Sequence, residues 1–338
     1  MTVSTQQVKR PDATELHIGR LDDAQVRVSL DPYLSVLALT TDALGGRRRG
    51  APESWRRHIR SVVSPAQAQA VWPLVAPGHS VTPDCVSPLN PIMETSVDEQ
   101  IERLRDLSPD DLLADLDGVF GSSGPPPHWR TVARQPRNWL RAYASATSQV
   151  WAAMRPAWRD ARPLLDREVA RVGAAAMRGR LDVILGGIHP SSRFEDGVLK
   201  IRDPEPARFD LAGRPLVLVP MVSGGDALIC SLDRPDAVWL GYPVPGAGRL
   251  FRSQPAPESD GDALELLLGP VRAQVLSAVS QPVTMGELAA LTRLTPSAIT
   301  YHCERLAAAG LVRRERHGRE VRVSLTPRAE RLTELFEE

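Results

Sequence analysis

The sequence predicts an α+β chain: a large mixed region of helices plus a small sheet, then a short helical region ending in a hairpin. Three observations predict it. Gln135 to Leu185 is a long Ala-, Arg- and Leu-rich stretch of helical character. After His189-Pro190 come short β-like runs, GVLKIRD, RPLVLVPMV, DALICSL and AVWLGYPV, separated by Pro, Gly and Asp. The segment RSQPAPESDGD, Arg252 to Asp262, is rich in Pro, Ser and acid and reads as a linker. These divide the chain into an N-terminal domain at 1–251, a linker at 252–262 and a C-terminal domain at 263–338. Two domains also suit a length of 338 residues.

The elements follow in order. ELHIGRL and AQVRVSL alternate apolar and polar residues, as half-buried strands do. Pro32 to Leu44 fits a helix. VDEQIERLRDLSPDDLLADLDGVF reads as two short helices broken at Ser108-Pro109. The long helical stretch is expected to be interrupted at Pro156 and Pro163. The N-terminal domain therefore reads as mainly helices first and a small sheet afterwards.

In the C-terminal domain, Leu264 to Val279 is an amphipathic helix kinked at Gly269-Pro270. Thr284 with Glu287 three residues later forms a capping box that starts a second helix, expected to turn Leu288 and Leu291 inward. Arg293 to Thr295 is a tight connection. Thr295 caps a third helix, 296–309, and Pro296 takes its first position, where no amide is needed. Ile299, Cys303, Leu306 and Gly310 share one narrow arc of that helix, and Gly310 can supply a left-handed stop. Ser297, Tyr301, Glu304 and Ala308 occupy the opposite arc, with Thr300 and Arg305 on its shoulders. A hairpin at 311–325 is read with His317-Gly318 as its turn. That turn would place Val312 opposite Val323, Arg314 opposite Val321 and Arg313 opposite Arg322. Thr326-Pro327 caps a last helix.

Three helices followed by a basic two-stranded hairpin make a winged helix-turn-helix. Lys+Arg and Asp+Glu both number 41, so global charge names no partner and any nucleic-acid surface must be local. Between Thr295 and Arg328 the acids are Glu304, Glu315 and Glu320, against seven arginines. The third helix is read as the major-groove reader through Thr295, Ser297, Thr300, Tyr301, His302 and Arg305. For His302 a backbone-phosphate contact and a structural hydrogen bond are both open. The wing is read as holding phosphates, or entering the minor groove, through Arg313, Arg314, Arg316, His317, Arg319 and Arg322. Cys303 reads as core.

Other chemistries lack their motifs. There is no P-loop and no G-x-G-x-x-G. His17, His58, His79, His128 and His189 show no HxxxH or HExxH spacing and read as loop or core residues. PMVSGGDA, Pro220 to Ala227, is the closest thing to a chemical loop. Ser223 lacks the preceding glycine of a nucleophile elbow, and Gly224-Gly225 reads as a turn between strands. Trp129, Trp139, Trp151 and Trp158 read as core packing, with an effector pocket as the alternative. Cys85, Cys230 and Cys303 are far apart, which fits a reducing compartment. No run approaches the roughly 18–20 apolar residues that span a bilayer, and the first residues show no signal pattern. The expectation is a soluble cytoplasmic protein with no catalytic residues, metal or cofactor.

LGPVRAQVLSAVSQPVTMGELAALTRLTPSAITYHCERLAAAGLVRRERHGREVRVSLT resembles the winged helix of the ArsR-type bacterial repressors. The carrying parts are LGPVR, ELAALTRLTPSAIT, Thr300 with His302, and AGLV before the wing. RPLVLVPMV, GYPVPGAGRL, VRVSLDPYLSVLAL and ARVGAAAMRGRLDVILGGIHP resemble the large N-terminal domain of an actinobacterial group of such regulators. The resemblance implies a transcriptional regulator that binds double-stranded DNA, and it supplies no ligand. The expectation is a homodimer on a two-fold site whose large N-terminal domain senses a small-molecule effector, mediates dimerisation, or does both. Metal-sensing ArsR-type proteins carry a Cys pair on the reading helix or an Asp/His set on the last helix. Here Cys303 stands alone and the last helix has no His, so those metal sites do not carry over. Glu304 also departs from the family, which often has a basic residue there. The alternative is an N-terminal enzyme or protein-interaction domain with a regulatory winged helix attached.

Overall fold

A computed structural model describes residues 12–87, 95–121, 124–247, 263–279, 282–292, 294–317 and 320–334. The expected linker at 252–262 lies outside these. The chain divides into two compact units: Met1–Ala51 with Trp55–Ala247, and Pro52–Ser54 with Gly248–Glu338.

In chain order the larger unit contains β1 (Thr14–His17), β2 (Val26–Val28), α1 (Tyr33–Ala43), α2 (Glu53–Val62, in this unit from Trp55 on) and α3 (Pro65–Gln69). Next come α4 (Val97–Asp106), α5 (Pro109–Phe120), α6 (Pro127–Arg134), α7 (Pro136–Asp160), α8 (Arg162–Met177) and α9 (Leu181–Gly186). Six strands follow: β3 (Ser192–Glu195), β4 (Val198–Ile201), β5 (Arg208–Asp210), β6 (Leu216–Met221), β7 (Ile229–Ser231) and β8 (Val238–Pro243). The α+β class stands, but the single late sheet does not. There are two four-stranded sheets, ordered β3-β4-β1-β5 and β2-β6-β8-β7. β1 lies antiparallel to β4 and parallel to β5, while β2, β6 and β8 run parallel with β7 antiparallel at the edge. The two early strands have no hairpin partner nearby, so their ladders are completed only by strands far along the chain.

All six residues of β6 are buried, as are the first five of β8. A strand that is apolar along its whole length has both faces covered. One core joins the sheets with the helices that precede them, through Leu16, Leu199, Leu218, Leu240, Val172 and Leu185. Every residue of α1 is buried, so its polar groups need internal partners. Ser35 Oγ accepts from the Val222 amide at 2.9 Å. Asp42 accepts from the amides of Arg49 (2.7 Å) and Ala51 (3.0 Å) and from Arg56 Nε (2.7 Å).

Ser108 caps α5 at the expected break, and its hydroxyl accepts from the Asp111 amide at 3.1 Å. Pro163 falls in the first turn of α8, as expected. Pro156 does not interrupt: α7 runs through it without a break. Buried residues stand on both sides of it, with Val150, Trp151 and Met154 before and Ala157 after. Their packing holds the helix across the one missing amide.

The smaller unit contains α10 (Ala263–Leu268), α11 (Pro270–Ala278), β9 (Val283–Thr284), α12 (Met285–Thr292), α13 (Pro296–Ala308), β10 (Val312–His317), β11 (Glu320–Leu325) and α14 (Pro327–Glu334). The expected kink is a full break at Gly269, whose φ of 81° suits glycine. Strand β9 is an addition to the sequence reading. It pairs antiparallel with β11, Val283 with Val323 and Thr284 with Arg322, giving a sheet ordered β10-β11-β9. The core is Val275, Leu276, Leu288, Ile299, Leu306 and Val323 with their apolar neighbours. No helix among the described residues is long and apolar enough to cross a membrane.

Candidate nucleic-acid interface

Two caps set the helix-turn-helix. At the start of α12 the Thr284 hydroxyl accepts from the Glu287 amide at 3.2 Å, and Glu287 Oε2 accepts from the Thr284 amide at 2.8 Å. The Thr284 amide and the Thr284 hydroxyl, which lies 2.9 Å from the same oxygen, stabilise the carboxylate and lower the Glu287 pKa. At the start of α13 the Thr295 hydroxyl accepts from the Ala298 amide at 3.3 Å, with Pro296 in the first turn. Within α12, Leu288 and Thr292 are buried while Leu291 is 62% exposed, against the expectation that it faces inward. At about 100° per residue, Leu288, Thr292 and the half-buried Met285 and Ala289 define the inner face, and Leu291 falls outside their arc.

Helix α13 has two distinct faces. Ile299, Cys303 and Leu306 are buried, and burial pushes the Cys303 thiol pKa up, which keeps it inert. On the opposite side Ser297, Tyr301, Glu304, Arg305 and Ala308 are exposed, with Tyr301 at 51%. The Arg305 guanidinium lies 5.6 Å from the centre of the Tyr301 ring, a cation–π distance. Thr295 Oγ1 and Ser297 Oγ are 3.2 Å apart, so the two hydroxyls share a bond at the helix start. The Thr300 hydroxyl donates to the Pro296 carbonyl at 2.9 Å, which leaves its methyl group as the outward surface. His302 is half-buried beside Tyr301, ring centres 5.2 Å apart, and its Nδ1 is shielded with no hydrogen-bond partner.

The hairpin has the expected limits, but its register differs from the sequence reading. Val312 pairs with Leu325, Arg313 with Ser324, Arg314 with Val323, Glu315 with Arg322, Arg316 with Val321 and His317 with Glu320. The two residues between the paired ends are Gly318 and Arg319, rather than His317 and Gly318. Because the slip is two residues, each side chain keeps its expected face. It sets Glu315 opposite Arg322, where the other register would have set two arginines against each other. Arg313, Arg314, Arg316 and Arg322 are exposed. Arg313 reaches Glu315 at 3.4 Å, and Arg314 reaches Glu304 of α13 at 3.3 Å. That second pair ties the wing to the exposed face of the helix. Glu304 is thereby paired with an arginine of the wing. Arg319 and the side chain of His317 lie outside the described residues.

In the larger unit Gly224 of PMVSGGDA is closely packed, and a turn follows at Gly225-Asp226 between β6 and β7. A Cβ on Gly224 would stand 2.1 Å from the Arg49 carbonyl oxygen. Ser223 is buried with its hydroxyl unpartnered, so no base is bonded to it. Trp129, Trp139 and Trp151 are buried and Trp158 is half-buried. His79 and His128 do come together, with ring centres 4.5 Å apart, which their distant positions in the sequence did not signal. Among the described residues no group of three or more His, Cys, Asp or Glu could hold a metal.

A model of the MarR family matches residues 268–320. The match supports a DNA-binding transcriptional regulator. The matched span covers α11, β9, α12, α13 and β10, the elements that build the two-faced helix and the first wing strand. The fold is therefore mixed helices and sheets followed by a C-terminal winged helix-turn-helix. No curated protein matches the chain, and no solved structure does.

Proposed function

We propose that α13 lies in the major groove of a double-stranded operator while the wing holds the backbone or minor groove beside it. The observation that carries this is the division of α13. One face is wholly apolar and buried; the other presents Ser297, Tyr301 and Arg305 and is joined through Glu304–Arg314 to a strand pair bearing arginines. Thr295, Ser297, Thr300, Tyr301, His302 and Arg305 form the groove face. Arg313, Arg314, Arg316, His317, Arg319 and Arg322 form the phosphate face. The Thr300 methyl and the Tyr301 ring suit the apolar edge of thymine, and Arg305 suits guanine.

The regulator works as a homodimer on a two-fold site, with the larger unit binding a small molecule that has different affinity for the DNA-competent and incompetent states. We group it with the ArsR-like regulators of actinobacteria that carry a large N-terminal domain, which implies a repressor of the cytoplasm. That grouping rests on the LGPVR, ELAALTRLTPSAIT and AGLV stretches. We assign no catalytic step to the larger unit.

The test is operator affinity against salt concentration. Arg313→Gln and Arg316→Gln should each lower the slope of log affinity against log salt by about 1, because each removes a phosphate contact and its released counterion. Unchanged slopes in both variants would remove the wing from the DNA.

A further inference from the structure

We propose that the larger unit binds a neutral, planar aromatic molecule in a cavity bounded by α3, residues 70–79, α6 and α7. This deepens the effector reading above by naming a site and a ligand class. It rests on that reading for control of DNA binding, not for the binding itself.

The cavity measures about 860 Å³, inside the range of roughly 300–1,000 Å³ that holds small molecules. Its wall includes two indole rings. Trp139 is fixed: its Nε1 donates to the Ala70 carbonyl at 2.9 Å, and its ring stacks on Tyr143 at 5.1 Å with 5° between planes. Trp129 meets the same ring edge-on at 5.5 Å. Trp72 is different. It is 52% exposed, a large aromatic surface left uncovered at a cavity wall. A flat ring entering there would cover Trp72 and gain the stacking and burial that the bare protein lacks.

Polarity narrows the class. Among the described residues none of the lining side chains is Asp, Glu, Lys or Arg; the polar ones are carboxamides, a hydroxyl and two imidazoles. Burial first, and His79 second, hold the His128 pKa below the usual histidine range, so that ring is neutral near pH 7. His79 Nδ1 lies 3.1 Å from Glu205, which also accepts from the Ser80 and Val81 amides at 2.8 and 3.2 Å. Any charge on His79 is thus already balanced. A carboxylate or ammonium ligand would be desolvated without a counter-charge, which is costly. An uncharged ring with one or two polar substituents, met by Gln135 and Asn138, suits this wall.

Calorimetric titration of the full chain with 2-naphthol and with its anionic counterpart 2-naphthoate tests the proposal. The naphthol should bind, and the carboxylate should bind at least about tenfold more weakly. Trp72→Ala should weaken naphthol binding by about tenfold. Ala142→Trp, which fills a partly exposed part of the wall, should abolish it. No binding of 2-naphthol overturns the proposal, as does equal affinity for the two probes. Wild-type affinity in both variants, each shown to be folded by circular dichroism, overturns it too. Operator affinity with and without 2-naphthol separates this site from its regulatory role. Binding that leaves operator affinity unchanged supports the site and sinks effector control alone.

Discussion

The two units treat charge in opposite ways. The larger one buries it: Asp31, Asp42, Arg56 and Glu168 are all within its interior. Each described partner set is specific. Asp31 Oδ1 accepts from the Tyr33 amide at 2.8 Å and from Gln100, and Glu168 accepts from Arg171 and from the Tyr242 hydroxyl at 2.7 Å. The smaller unit has an apolar core closed by Leu276, Leu288, Ile299 and Leu306, and Arg305, Arg313, Arg314, Arg316 and Arg322 stand outside it. The lesson is one of purpose. A buried ionic network fixes one arrangement of the chain and is closed to partners. Exposed arginines on a ribbon add little stability and are open to a polyanion.

The sharpest way to break this contrast is Asp42→Ala. It removes an acceptor shared by two amides and by the Arg56 guanidinium, so it should cost about 3–5 kcal/mol in urea unfolding followed by tryptophan fluorescence. A loss below about 1 kcal/mol would show the network to be incidental. Ile299→Ala attacks the other kind of core and should cost about 2–5 kcal/mol, seen as early melting of the winged helix by hydrogen exchange. Thr295→Ala removes a cap and should cost about 1 kcal/mol by the same measurement. Tyr301→Ala should change stability by less than about 0.5 kcal/mol yet weaken operator binding in a gel-shift titration. Unaltered operator affinity there would move the reading face off α13.

Most of the smaller unit was legible in its sequence. The caps at Thr284 and Thr295, the stop at Gly310 and the buried arc of Ile299, Cys303 and Leu306 depend on residues within a few positions of one another. The misreadings there were small and geometric. Leu291 lies just off the inner arc, and the hairpin register is shifted by two residues, which sets Glu315 opposite Arg322. Strand β9 was missed because two residues carry too little pattern. In the larger unit, Ser108-Pro109 announced its helix boundary, but Pro156 misled because burial around it outweighs one lost hydrogen bond.

Local signals by themselves thus determined where α5, α12 and α13 begin, and which side of α13 faces away from the core, because a helix satisfies its own backbone within four residues. Only the tertiary structure decided that β1 and β2 belong to two sheets with partners far down the chain, and that Trp72, His79, His128 and Trp139 share one cavity. A strand must borrow its hydrogen bonds, and the entropy of closing a long loop grows only slowly with its length. The choice of partner therefore belongs to the packing of the whole unit and leaves little trace beside the strand itself.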